Sequence, residues 1–131
     1  MSRTARRTGT ALAATALITV GLVLGATTAS AKSELGIGAR SSTVAVGGTV
    51  RVHAEGDSDD FGGAPVLLCV DRRGGNGRWH RLRCTSGYRL TVDVPATRRG
   101  VLAFRAQLVA DVGAHRRVVD RTSRTLRVAV R

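Results

Sequence analysis

Aromatic residues are scarce in this chain: Phe61, Trp79, Tyr88 and Phe104 are the only four. They are too few and too dispersed to build the stacking platform that single-stranded nucleic acid needs, so nucleic acid is not an expected partner. Lysine is scarcer still, with Lys32 alone among cations that are otherwise arginine. The usual catalytic motifs are missing, the nucleophile elbow included. His53, His80 and His115 are well separated and read as surface strand or loop residues. A Ser/His/Asp arrangement is defined by geometry, which a sequence does not display. On these grounds no enzymatic activity, cofactor or metal is expected.

Long apolar runs are also lacking, apart from one between Ala11 and Ala26. It falls short of the roughly 20 residues of a spanning helix, and Thr15, Thr19, Gly21 and Gly25 interrupt it. Arg3, Arg6 and Arg7 precede it, and the small residues Ala29-Ser30-Ala31 follow. This pattern reads as a helical signal peptide over residues 1–31, cleaved after Ala31. The rival reading is an uncleaved N-terminal anchor. Thr8-Gly9-Thr10 does not continue Arg6-Arg7 into a twin-arginine motif, which favours the general secretory route. No cysteine stands at the cut to carry a lipid. The mature chain is therefore expected to be secreted, without a transmembrane segment, either free or held to the envelope non-covalently.

What remains is about 100 residues, the size of one domain. Export removes three arginines and leaves 18 basic against 9 acidic residues, a net charge of +9. Charge of this sign points to polyanionic partners such as an anionic cell-envelope polymer. The competing account is compositional. Arginine in place of lysine, with abundant Ala, Gly and Val, resembles a GC-rich coding bias, and the charge then serves solubility. Two segments crowd the cations: Arg72, Arg73, Arg78, Arg81 and Arg83, and later Arg116, Arg117, Arg121 and Arg124. Of these, Arg72, Arg73, Arg78, Arg81, Arg83, Arg116 and Arg117 are the candidate anion-binding residues, with a solvated surface as the alternative.

The dominant period is two. Val50, Val52 and Ala54 alternate with Arg51, His53 and Glu55, and Leu90, Val92 and Val94 with Thr91 and Asp93. Leu102, Phe104, Ala106 and Leu108 form another alternating set, as do Leu126, Val128 and Val130. Such alternation marks strands with one face in a core and one in water. Gly-rich breaks recur, and no helical period is sustained after Ala31. An all-β antiparallel sandwich of about seven strands is expected over residues 42–131, with 32–41 a leader or edge strand.

Cys69 and Cys84 flank the turn signal Asn76-Gly77, which favours a type I′ hairpin. Taken literally, that turn sets Cys69 directly opposite Cys84, at about 4.5–5.5 Å between Cα atoms. An exported chain meets oxidising conditions, so a disulfide is expected. Free thiols are the alternative, and a metal site recruiting His80 and His53 the remote one. The same register places Val66, Leu68, Val70 and Trp79 on one face, with Arg81 and Arg83 beside Trp79. That conflict implies a bulge or a wider loop. Trp79 reads as a core or core-edge residue, or with Tyr88 as a sugar platform. Asp57-Ser58-Asp59-Asp60-Phe61-Gly62 reads as a solvated turn, with Ca²⁺ binding as the competing idea.

Three stretches give the chain a familiar look: Gly47-Gly48-Thr49-Val50-Arg51-Val52, the Pro65-Val66-Leu67-Leu68 and Gly77-Arg78-Trp79-His80-Arg81-Leu82 pair around a Gly-rich turn, and Gly100 to Ala106. With the closing strand Thr125 to Val130, they resemble bacterial immunoglobulin-like modules of secreted actinobacterial proteins, over roughly Ser42 to Arg131. The resemblance implies an immunoglobulin-like or fibronectin III-like sandwich acting as a spacer, adhesive unit or binding domain, with no shared catalytic residues. On this reading the chain is expected to depart from such modules by standing alone rather than beside a catalytic domain. Its cysteine pair is not a general feature of such modules. The expectation is a secreted, non-enzymatic binding or structural module for an anionic envelope polymer or a protein. A small-ligand carrier and a secreted enzyme inhibitor are the alternatives.

Overall fold

A computed structural model of the chain describes residues 33–131. The signal-peptide reading and Lys32 lie outside the described residues. No helix among them is long and apolar enough to cross a membrane.

The described chain is all-β, in two sheets. Nine strands form it: β1 (Ser33–Ala39), β2 (Thr43–Val44), β3 (Thr49–Ser58), β4 (Val66–Arg73), β5 (Trp79–Thr85), β6 (Arg89–Pro95), β7 (Gly100–Asp111), β8 (Arg117–Thr122) and β9 (Leu126–Val130). The smaller sheet has the order β1-β3-β6, with β1 at its edge. The larger has the order β2-β9-β7-β4-β5, with β8 also on β7. The count exceeds the expected seven partly because β7 is twelve residues long. Its first half pairs with β9 and its second half with β8, along one edge. Ser123 fills the gap between them. Its N–H donates to Ala106 O (2.9 Å), and its Oγ accepts from Ala106 N–H (2.8 Å). The two-residue β2 is a second departure, because it pairs with β9 in parallel.

The alternating residues form the core. Ile37, Val50, Val52, Ala54, Leu90, Val92 and Val94 come from the smaller sheet. Leu68, Val70, Phe104, Ala106, Leu108, Leu126, Val128 and Val130 come from the larger. Burial of these faces is the main favourable term in folding. The water-facing partners on β3 and β6 stand directly opposite one another as Arg51–Asp93, His53–Thr91 and Glu55–Arg89. Each makes a cross-strand contact, at 2.7, 3.2 and 3.2 Å respectively.

Cys69 and Cys84 are joined in a disulfide, with Cα atoms 4.0 Å apart. They are opposed, as the sequence register requires, but through two compensating departures from it. The turn is a three-residue loop, Gly75-Asn76-Gly77, closed by Gly74 N–H to Arg78 O (2.7 Å) and Gly77 N–H to Gly74 O (3.0 Å). Only Gly77 has positive φ (77°), so this is not the type I′ turn that Asn76-Gly77 implies. The longer loop shifts the register by one residue. A bulge between Val70 and Asp71, with Leu82 as the extra residue on β5, shifts it back before the cysteines.

The bulge corrects the faces. Trp79 pairs with Arg73 and Arg81 with Asp71, so both side chains lie on the outer face of the larger sheet with Cys69. Trp79 is half-buried there, outside the inter-sheet core. Arg83 does not share its face; it pairs with Val70 and points to the other side.

Candidate functional site

The outer face of the larger sheet holds a polar cluster built on Asp71. This carboxylate is 2% exposed. It accepts from Arg81 Nε (2.8 Å) and Arg105 Nε (2.9 Å). Arg81 also donates to Gln107 Oε1 (2.7 Å), and Gln107 donates from Nε2 to Thr122 Oγ1 (3.0 Å). The Arg105 guanidinium lies 4.5 Å from the centre of the Trp79 ring, and that of Arg73 at 6.0 Å. Two guanidinium groups compensate the one buried carboxylate, as a buried charge requires, and leave the cluster with a net positive charge. The cluster has the marks of structure. It removes Arg81 from the candidate anion-binding set, because its guanidinium is already committed.

The remaining candidates divide by topology. Strand register and connecting loops put the β4–β5 turn, the β6–β7 loop, the start of β3 and the end of β1 at one end of the molecule. That end carries Arg40, Arg72, Arg73, Arg78, Arg98 and Arg99. Arg116, in the β7–β8 connection, and Arg117, the first residue of β8, sit at the other end and do not join the first group. Arg83 stands apart on β5, and Arg124 reaches across to donate to Ile37 O (3.1 Å).

Carboxylates show the opposite distribution. Glu34, Glu55, Asp57, Asp59, Asp60 and Asp111, six of the nine, lie at the end shared with Arg116 and Arg117. The two near the arginine-rich end, Asp71 and Asp93, are both paired. Arg51 binds Asp93 by two hydrogen bonds (2.7 and 2.8 Å). These bonds hold the Asp93 carboxyl below its usual range and push the Arg51 guanidinium up.

At the arginine-rich end a cleft of about 330 Å³ opens between the β4–β5 turn and the β6–β7 loop. Arg72, Arg73, Arg98 and Arg99 line it, over the bare backbone of Gly74, Gly75 and Gly100. No ion pair to a described residue engages any of the four. Both sides are anchored. The β6–β7 loop is held at Ala96, whose N–H donates to Gly48 O and whose O accepts from Gly47 N–H (2.9 and 2.8 Å). On the other side Arg73 donates from Nε to Gly77 O (3.2 Å) and leans on Trp79. Arg98 and Arg99 were not among the sequence candidates. Their only signal is an Arg-Arg pair in a break, and what brings them to Arg72 and Arg73 is the topology.

The other candidates stay apart. Trp79 begins β5 and Tyr88 precedes β6, so they lie at opposite ends and make no sugar platform. Tyr88 is 65% exposed, with Arg89 5.5 Å above its ring. The Asp57–Gly62 segment is organised by local bonds, Ser58 N–H to Asp57 Oδ1 (2.8 Å) and Asp60 N–H to Ser58 Oγ (3.3 Å). Among the described residues, no three His, Cys, Asp or Glu side chains come together as a metal-ligating group.

What fold and surface define is a disulfide-braced, two-sheet β protein with a group of arginines at one end. No family model and no curated protein matches the chain.

Proposed function

We propose that this is a secreted, non-enzymatic immunoglobulin-like β-sandwich module that acts by binding, and that its target is an anionic polymer of the cell envelope. The observation that carries the reading is the end bearing Arg40, Arg72, Arg73, Arg78, Arg98 and Arg99, where the nearby carboxylates Asp71 and Asp93 are already paired. Like charges gathered in this way gain nothing from one another in the free protein. A polyanion gives them counter-charge and releases its own small counterions. The immunoglobulin-like assignment rests on the resemblance and on the two-sheet architecture. Export rests on the sequence of residues 1–31.

The test is retention of the mature domain on purified cell walls across a salt series. Retention at low salt that falls steadily as salt rises is the expected result. Absence of binding at every salt concentration, or binding that salt does not touch, refutes the reading.

A further inference from the structure

We propose that the cleft between the β4–β5 turn and the β6–β7 loop is a phosphate-reading site, taking the phosphate groups of a polymer between Arg72, Arg73, Arg98 and Arg99. The inference rests on the anionic-polymer reading above and names the chemistry that the polymer carries.

Three features of the cleft point to phosphate. First, four arginines from two chain segments line one space of about 330 Å³. A carboxylate brings one negative charge to such a site. A phosphate monoester brings up to two, and successive phosphodiesters place one charge on every repeat. Arginine's planar fork matches two phosphate oxygens at once. Second, Arg73 is already held, by its bond to Gly77 O and by Trp79, so ordering it costs less on binding. Arg72, Arg98 and Arg99 have no carboxylate to give up. Third, the floor is backbone. A Cβ built on Gly75 or Gly100 meets nothing within 4 Å, so packing does not demand glycine there. At Gly100 a φ of 136° does, but Gly75 is not at positive φ. At Gly75, the missing side chain leaves the cleft open without being needed by the turn.

That difference supplies a clean perturbation. Gly75→Glu adds a carboxylate to the lining at a position the turn tolerates. Arg98→Gln/Arg99→Gln removes two cations from an exposed loop. Arg116→Gln/Arg117→Gln removes the same charge from the opposite end. The probe is linear polyphosphate at fixed ionic strength, compared with inorganic phosphate and with polyglutamate of similar length. Far-UV circular dichroism checks that each variant is folded.

Polyphosphate is expected to bind the unaltered domain. The Gly75→Glu and Arg98→Gln/Arg99→Gln variants are each expected to weaken it about tenfold or more, the scale of one lost charge-assisted contact. Arg116→Gln/Arg117→Gln is expected to stay within about twofold. Inorganic phosphate should compete at higher concentration, and polyglutamate should bind more weakly than polyphosphate. Equal losses from the two double variants would mean net-charge attraction without a site, and would overturn the proposal. So would polyglutamate binding as tightly as polyphosphate. The parent reading fails separately. Polyphosphate binding in the cleft without cell-wall retention keeps the site and removes the envelope target. Cell-wall retention that survives the cleft variants keeps the target and removes the site.

Discussion

Asp71→Asn should destabilise the domain more than any other single change to a charged residue. The carboxylate is 2% exposed, and two arginine Nε atoms donate to it. Removing one partner of a buried pair typically costs about 3–5 kcal/mol, because the other charge stays behind without compensation. Here the stranded charges are not fully enclosed. The Arg81 and Arg105 side chains are 37% and 25% exposed, Arg81 keeps Gln107, and Arg105 keeps the Trp79 ring. Water and these contacts absorb part of the loss, which brings the expected cost to about 2–4 kcal/mol. For a domain near 100 residues that lowers Tm by on the order of 10–20 °C. Thermal and urea unfolding of the mature, oxidised domain measure it. The loss should change little between low and high salt, since buried pairs are poorly screened. A double-mutant cycle with Arg105→Gln should return a coupling of about 1–2 kcal/mol. Unfolding of Asp71→Asn within about 0.5 kcal/mol of the parent, the range of an ordinary surface change, would refute the view that the cluster braces the outer face.

Replacing Cys69 and Cys84 together by alanine opens a link across 15 residues and should cost about 3 kcal/mol in urea unfolding. Gly77→Ala should cost about 1 kcal/mol because φ there is 77°. Gly75→Ala in the same turn should be close to neutral, and equal effects from the two would contradict the assigned loop geometry. The Asp93 carboxyl is held low by Arg51, so its contribution to stability is present above the ordinary carboxylate value of about 3.9 and is lost as pH falls through the lower folded value. In an NMR titration, Arg51→Gln should move the Asp93 midpoint upward, and added salt should shrink that difference. An unmoved midpoint would show that the pair does not form in solution.

The sequence displayed its strands where one face is wet. Val50, Val52 and Ala54 on β3 and Leu90, Val92 and Val94 on β6 alternate cleanly, because the smaller sheet presents its other face to water. On β4 the signal fails. Val66-Leu67-Leu68-Cys69-Val70 is apolar on both faces, since the outer face is covered by the disulfide and the Asp71 cluster. The register there depends on a bulge, which the conflict of faces implied, but nothing in the sequence marked Leu82 as its position. β8 escaped as well, being a short strand that shares one edge of a longer one. For the cleft, half was legible: Arg72 and Arg73 stood in a visible crowd, whereas Arg98 and Arg99 occupied a break with no periodicity to mark them. Proximity between residues about 26 apart belongs to topology, and the pattern rules act only over neighbours.

The number of arginines and their positions answer to different causes. A coding bias would favour arginine over lysine wherever codons permit it, which leaves the charge at each such position unchanged. It has no access to the ends of a sandwich, because neighbouring loops there come from distant parts of the chain. Yet six carboxylates collect at one end, while at the other the nearby two are consumed by Arg51, Arg81 and Arg105. The resulting field is directional as well as positive. On the proposed reading, such a field would turn an approaching anionic polymer toward the arginine-rich end. Compositional charge spread evenly would raise solubility without orienting anything. Charge segregated by the fold would present the cleft lined by Arg72, Arg73, Arg98 and Arg99 to an incoming anion, so the proposed binding depends on the placement of the cations and not on their number.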